Sequence, residues 1–452
     1  MLWKKLLGAG GLVGGGAAPT GITFVNEVSG VIQQQTTTTD VTLPASLAEG
    51  DVLVFMVAAD FDLIDSTPNG PVDFNVSPDG WFHLHASEYA STDGYIYGLV
   101  CGSSPPTTVR VRGSGNASND APYVCQAWRG VDARLFDARS AAAYTTGTSA
   151  NPDPPSVTTV TDGALVIAFA MMDDDDTTVS VWPTGYTNQI EKGTGNGGTN
   201  NQATIAMCSK IVTTAGSENP SAYTFNSSDQ WSACSIALQP DQTEISTWSI
   251  TEVGRKHYTS ADGPTYNLPT VLENDYVLIF SAGSNFYGST GDPMNSSGWT
   301  VLDSYNGYRW LWAKKMGATP DTTFNISAGT RGQALEVVAF RGVDTSTPQD
   351  VALGYTSSSS VHPSITTATN NALLIRWRYT FGDRDYSISE WPIGYGGLGQ
   401  SARQYQGSNL GNVSVSLCYT QQDSAGATGT LTTRNNNTGG SESSGTMALR
   451  TA

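Results

Sequence analysis

Two halves of this 452-residue chain carry the same short landmarks in the same order, and this repetition limits its fold more than any other feature. Thr42–Pro44 and Leu47 precede the apolar run Val52–Ala58, as Leu268, Pro269 and Leu272 precede Val277–Ala282. Gly80-Trp81 is matched by Gly298-Trp299, and Ala127–Asp132 (AWRGVD) by Ala339–Asp344 (AFRGVD). Val157–Thr159 and Ala164–Ile167 match Ile365–Thr367 and Ala372–Ile375; Trp182-Pro183 and Gly185-Tyr186 match Trp391-Pro392 and Gly394-Tyr395; Ser235–Leu238 matches Thr446–Leu449. Chance likeness between strand-rich segments keeps neither order nor spacing. The chain is therefore expected to hold two tandem units, residues 21–241 and 246–450, joined through the polar stretch 239–247. A weaker likeness between Val52–Ala58 and Ala164–Ala170 predicts two similar facing sheets within a unit.

Each unit reads as all-β, a jelly-roll-like β-sandwich. Apolar runs and period-two alternation mark short strands at Ile22–Val25, Tyr95–Val100, Thr107–Val111, Thr204–Cys208, Trp310–Ala313 and Val413–Leu417. Turn signals separate them, among them residues 68–70 (PNG) and 78–80 (PDG). No run has helical periodicity. Only 14% of residues are charged, while 49 glycines, 11 Trp and 19 Tyr supply turns and stiff aromatic surfaces.

The net charge of −18 argues against nucleic acid or anionic lipid as a partner and suits cations or uncharged polar polymers. Cys101, Cys125, Cys208, Cys234 and Cys418 form no CxxC pair and read as buried thiols rather than a disulfide framework. Residues 1–20 begin MLWKKLL and continue in glycines before Ala17-Ala18-Pro19. That stretch imitates a secretory signal but is too short and glycine-rich to span a bilayer. It is read as an assembly anchor gripped by Trp3, Leu6 and Leu7, with cleavage of a signal as the alternative.

Asp173, Asp174, Asp175 and Asp176 offer hard oxygens that suit calcium, but EF-hand spacing is absent and the run reads as a solvated loop. No other cofactor is expected. Arg129 with Asp132, and Arg341 with Asp344, are expected to form ion pairs that lock the turn after a core strand. Tyr287, Tyr305, Tyr308, Trp310 and Trp312 are the candidate glycan platform, since sugar rings stack on aromatic faces. Trp310 and Trp312 alternate on one face with Tyr308, so that set is either buried or forms the platform, and Tyr95, Tyr97 and Trp231 are further binding candidates. Trp81 and Trp299 are read as core. His83 and His85 share a strand face without a duplicated counterpart, and His257 and His362 are isolated. Glu88, Glu191, Glu252, Glu336 and Glu390 could serve a glycosidase only if two of them meet. No catalytic residues are assigned.

Gly50–Val54, Gly80-Trp81, the RGVD turns, Gly163–Ile167, Gly185-Tyr186 and Ile236–Pro240 together resemble a diffuse group of phage and bacterial proteins of jelly-roll type. The second half departs at Asn274-Asp275, Asn371 and Leu449-Arg450. The resemblance implies a non-enzymatic bacteriophage virion protein, a tail, fibre or capsid-decoration subunit that assembles with itself and other virion proteins. Its outer loops would contact host-surface glycan. A secreted bacterial carbohydrate-binding or adhesion protein, extracellular rather than virion-bound, and a glycan-cleaving enzyme are the alternatives.

Overall fold

The computed structural model describes residues 21–32, 38–60, 81–89, 92–102, 104–112, 120–139, 144–173, 177–195, 203–241, 249–259, 264–283, 292–305, 309–326, 333–357, 361–381, 388–390, 396–401, 413–432, 434–435 and 441–452. They form an all-β, antiparallel structure. No helix occurs among them, so none is long and apolar enough to cross a membrane.

We number only the strands of the four large sheets. Sheet I contains β1 (Thr23–Ile32), β2 (Val52–Asp60), β3 (Phe82–Tyr89), β4 (Thr92–Val100) and β5 (Ala121–Arg129). Sheet II contains β6 (Val131–Arg139), β7 (Thr145–Ser149), β8 (Ala164–Met172), β9 (Thr187–Gly193), β10 (Thr204–Val212) and β11 (Asp229–Pro240). Sheet III contains β12 (Thr251–Thr259), β13 (Tyr276–Gly283), β14 (Thr300–Tyr305), β15 (Arg309–Lys315) and β16 (Gln333–Arg341). Sheet IV contains β17 (Gly354–Ser357), β18 (Ala372–Phe381), β19 (Gly396–Ser401), β20 (Val413–Gln422) and β21 (Ser441–Leu449).

All four sheets have one strand order: β1-β5-β2-β4-β3, β7-β11-β8-β10-β9, β12-β16-β13-β15-β14 and β17-β21-β18-β20-β19. β6 is an addition, paired with the end of β11. The likeness extends to irregularities. β1 and β12 shift register at Phe24/Asn26 and Glu252/Gly254, and β3 and β14 at His83/His85 and Val301/Asp303.

Each central strand is buried on both faces, which explains the nearly unbroken apolar runs of β2, β8 and β13 where an antiparallel strand wetted on one side would alternate. β18 alone of the four carries arginines, Arg376 and Arg378. Val52, Val54, Met56 and Ala58 face Leu165, Ile167, Phe169 and Met171 between sheets I and II. Leu53, Phe55 and Val57 point the other way, into a layer closed by the ribbon Thr38–Thr42/Thr108–Arg112. In the second half, Leu278 and Phe280 face Ile375 and Trp377 between sheets III and IV, while Val277 and Ile279 pack outward. The halves touch where β19 lies beside β3 and β6, and Cys418 of β20 joins the core of the first half.

The chain crosses between sheets at the RGVD turns. Gly130 (φ 78°) and Gly342 (φ 86°) take left-handed conformations there, and a side chain at Gly342 would collide with the Ser249 carbonyl. Asp241 N–H donates to Gly130 O and Ala452 N–H to Gly342 O, latching each corner to the chain beyond the closing strand. Of the expected join, Gln239 and Pro240 belong to β11, and residues 242–247 lie outside the described set.

Candidate functional site

The residues repeated between the halves hold turns. Arg129 donates from Nε to Asp51 Oδ1 (2.7 Å) and from Nη2 to Oδ2 (2.8 Å); Arg341 does the same to Asp275 (2.8 and 2.9 Å). The expected partners, Asp132 and Asp344, are thus corrected. The sheets bring the arginine ending one strand beside the aspartate opening its neighbour, and bidentate geometry favours that aligned carboxylate. Each aspartate also accepts a backbone N–H three residues back, from Ala48 and Leu272, at 2.7 Å. Asp132 is buried, while Asp344 accepts bonds from the Ser346 hydroxyl and N–H and from the Thr347 hydroxyl, which hold its carboxyl well below the usual range.

A second aspartate pair serves sheets II and IV. Asp137 accepts from Val160 N–H (2.7 Å) and Asp350 from Ala368 N–H (2.5 Å), each in the turn before the central strand. Their titration differs. Burial pushes the Asp137 carboxyl up, and hydrogen bonds from Thr161 and Val160 only partly offset it. Burial acts on Asp350 too, but the Thr369 hydroxyl, the Ala368 and Thr369 amides and Arg450 outweigh it and hold the carboxyl low. Gln239 stands in the first half where the second has Arg450.

A raised carboxyl contributes stability that is complete below the ordinary carboxylate range and lost as pH rises through its folded value. A lowered one contributes above that range and loses it as pH falls through its folded value. At pH 7, Asp137→Asn should therefore leave the urea midpoint unchanged or higher, and Asp350→Asn should cost about 1–2 kcal/mol. Repeating the melts near pH 3 should shrink the D350N deficit.

The aromatic platform is corrected in part. Trp310 and Trp312 are 6% and 0% exposed and stack on one another with ring centroids 5.6 Å apart, so they are core rather than a sugar-facing surface. Tyr95 and Tyr97 form the matching stack in sheet I, at 6.2 Å. Their alternation did signal one shared face, but that face lies under the outer layer of each half. Trp81 is buried there and Trp299 partly so. Tyr305 closes β14, with its side chain outside the described set; Tyr287, Tyr308, Trp3, Leu6, Leu7, Asp174, Asp175 and Asp176 lie outside it altogether. Asp173 N–H donates to Gln230 O at the end of β8.

Chemistry present in one half only gathers between sheets III and IV. Arg255 bonds Glu336 Oε1 (2.8 Å) and both oxygens of Glu252 (2.6 and 3.0 Å), and His257 Nδ1 lies 2.5 Å from Glu336 Oε2. Burial works against the Arg255 charge, but Glu252 and Glu336 outweigh it and raise its pKa. Two of the five candidate glutamates therefore do meet, bridged by a guanidinium rather than flanking a cleft. Val124 and Ser29 hold the positions of Glu336 and His257 in the first half.

On the far face of sheet IV, Arg376 and Arg378 are buried beside Ser416 and Ser444, where sheet II has Ala168, Ala170, Ala206 and Ala233; the adjoining Ser414 and Thr446 match Thr204 and Ser235. Arg376 Nη2 donates to the carbonyls of Thr428 and Gly429. His362 lies near, its pKa pushed down to about 3 by burial, with the two arginines adding to the effect. Glu191 accepts from Val179 N–H, and the side chains of His83, His85, Glu88 and Glu390 are outside the described set. Among the described residues, no three of His, Cys, Asp and Glu gather as metal ligands would, and all five cysteines are free and buried. The isolated charges gave no sequence signal, whereas Asp51 and Asp275 stood inside a repeated landmark.

No family model matches the chain, and neither the curated proteins nor the solved structures include a match to it.

Proposed function

We propose that this protein is a non-enzymatic structural subunit of a bacteriophage virion, a tail, fibre or capsid-decoration component. It assembles with copies of itself and other virion proteins, and loops at the ends of its sheets contact host-surface glycan. One observation carries the non-catalytic part: the polar side chains repeated between the halves, Arg129 with Asp51 and Arg341 with Asp275, are all engaged in holding turns. A chain whose repeated residues serve its scaffold is suited to presenting surfaces. The virion assignment draws on the resemblance of the strand and turn landmarks to phage proteins and on the N-terminal segment.

Replacing Trp3, Leu6 and Leu7 together with Ser should abolish association with purified particles while leaving the folded protein intact; unchanged occupancy overturns the reading. New reducing ends after incubation with host polysaccharide would replace it with the glycan-cleaving alternative.

A further inference from the structure

The register identifies one place where the second half opens a space that the first half fills. Phe136 on β6 stands opposite Leu238, fully buried between sheets I and II. Leu449 matches Leu238, since the two pair with the matching residues Leu373 and Leu165, and the residue bridged to Leu449 is Gln349. Gln349 is therefore the counterpart of Phe136. Each is followed by one of the turn-holding aspartates, Asp137 or Asp350.

Beside Gln349 lies a cleft of about 560 Å³, within the ~300–1,000 Å³ range of small-molecule sites. Tyr276, Leu302, Ala313 and Pro348 contribute apolar surface, and Thr300, Lys314, Lys315, Thr347 and Gln349 its polar groups. The first half has Phe82, Leu99 and Val100 at the positions of Thr300, Lys314 and Lys315. One aromatic and two aliphatic residues have thus become a hydroxyl and two ammonium groups, at the same place where the phenyl ring has become an amide. A few convergent polar groups over an apolar floor are the composition of a ligand site.

The charge selects the ligand. Two lysines line this one cleft in a chain of net charge −18. Lys314 is engaged by Asp321 (2.5 Å) and the Ser297 carbonyl (2.9 Å), and Lys315 is exposed on the rim. Arg450 donates to the Thr347 hydroxyl (3.1 Å) at the same edge, but Asp350 and Asp344 match its charge there, so Lys315 is the ammonium group that faces a ligand.

We infer that this cleft binds an acidic saccharide. Its carboxylate meets Lys315, its hydroxyls meet Thr300, Thr347 and Gln349, and a C–H face lies on the apolar floor. Only the source of the sugar, a host surface, rests on the virion reading.

Calorimetric titration with trigalacturonic acid tests this, with maltotriose and hexaglutamate as neutral-sugar and acidic-peptide controls. The unaltered protein should bind trigalacturonate at least about tenfold more tightly than either control, as expected for a charge-assisted contact combined with sugar hydroxyl contacts. Gln349→Phe, which restores the ring present in the other half, should abolish binding with no fall in the unfolding midpoint. Lys315→Val, an exposed change that spares the fold should the first variant not fold, should weaken binding about tenfold and remove most of its salt dependence. Equal binding by the protein and K315V, absence of trigalacturonate binding, or equally tight hexaglutamate binding would each overturn the inference. Particle occupancy is read separately, so failure of the virion assignment leaves this result intact.

Discussion

Asp51→Ala should lower the unfolding free energy by about 3 kcal/mol, and Asp275→Ala should lower it by the same amount to within about 1 kcal/mol. Each carboxylate is inaccessible to solvent, closes a turn through a backbone N–H and accepts both bonds of a guanidinium. Truncation takes the acceptor from the part-buried bond that closes the turn, while the half-exposed arginine can be rehydrated. The cost therefore lies mostly in the turn, and Arg129→Gln should lose less than Asp51→Ala. Asn in place of either aspartate keeps an acceptor for the amide and should cost about 1 kcal/mol. The sites share no partner, so the double alanine variant should show the sum of the single losses. Urea melts of the full chain measure all of these; a strongly unequal pair would break the equivalence of the two turns.

A larger loss, about 4 kcal/mol, is expected from Glu336→Val. The substitution installs the residue of the first half, Val124, and is favourable by hydrophobicity alone. It fails because Glu336 holds both Arg255 and His257 in an interior closed by Phe280 and Val338. Removing Glu336 leaves Arg255 to Glu252 alone and His257 buried without its carboxylate, so part of the desolvation is no longer offset. Combining it with Arg255→Met and His257→Phe should recover most of the stability, because a fully apolar replacement removes the desolvated groups as well. If E336V alone melts like the unaltered protein, the cluster is not a source of stability.

Much of this architecture was legible in the sequence because it is set by local backbone needs. Asn274 and Asn371 interrupt the landmarks where the first half has Gly50 and Gly163, yet all four take the left-handed conformation, with φ of 69°, 58°, 83° and 81°. Asparagine tolerates that region better than other side chains, so the apparent departures preserve the turns. What remained hidden depended on partners distant in sequence. Arg129 lies three positions before Asp132 but pairs with a carboxylate 78 positions away. Trp310 and Trp312 alternate as a one-sided surface would, but in a sheet covered on both sides alternation cannot distinguish outside from inside. Gln349 carried no motif; its meaning emerged only when the bridge to Leu449 aligned it with Phe136.

The shared strand order has a consequence for synthesis. In every sheet the opening strand pairs with the closing one, so Glu27 waits for Gln126, 99 positions later, and Arg255 for Glu336, 81 positions later. While the chain emerges from the ribosome, each central strand lacks a neighbour and each opening strand has none, until the last segment of its block arrives. Assembly should thus advance in four steps from the amino end, each slow because its pairings are long-range, and each leaving an apolar sheet face uncovered until a second sheet follows. A chain halted after β5 would expose the face bearing Val52, Val54 and Met56, which makes truncation there a route to aggregation rather than to a small stable fragment.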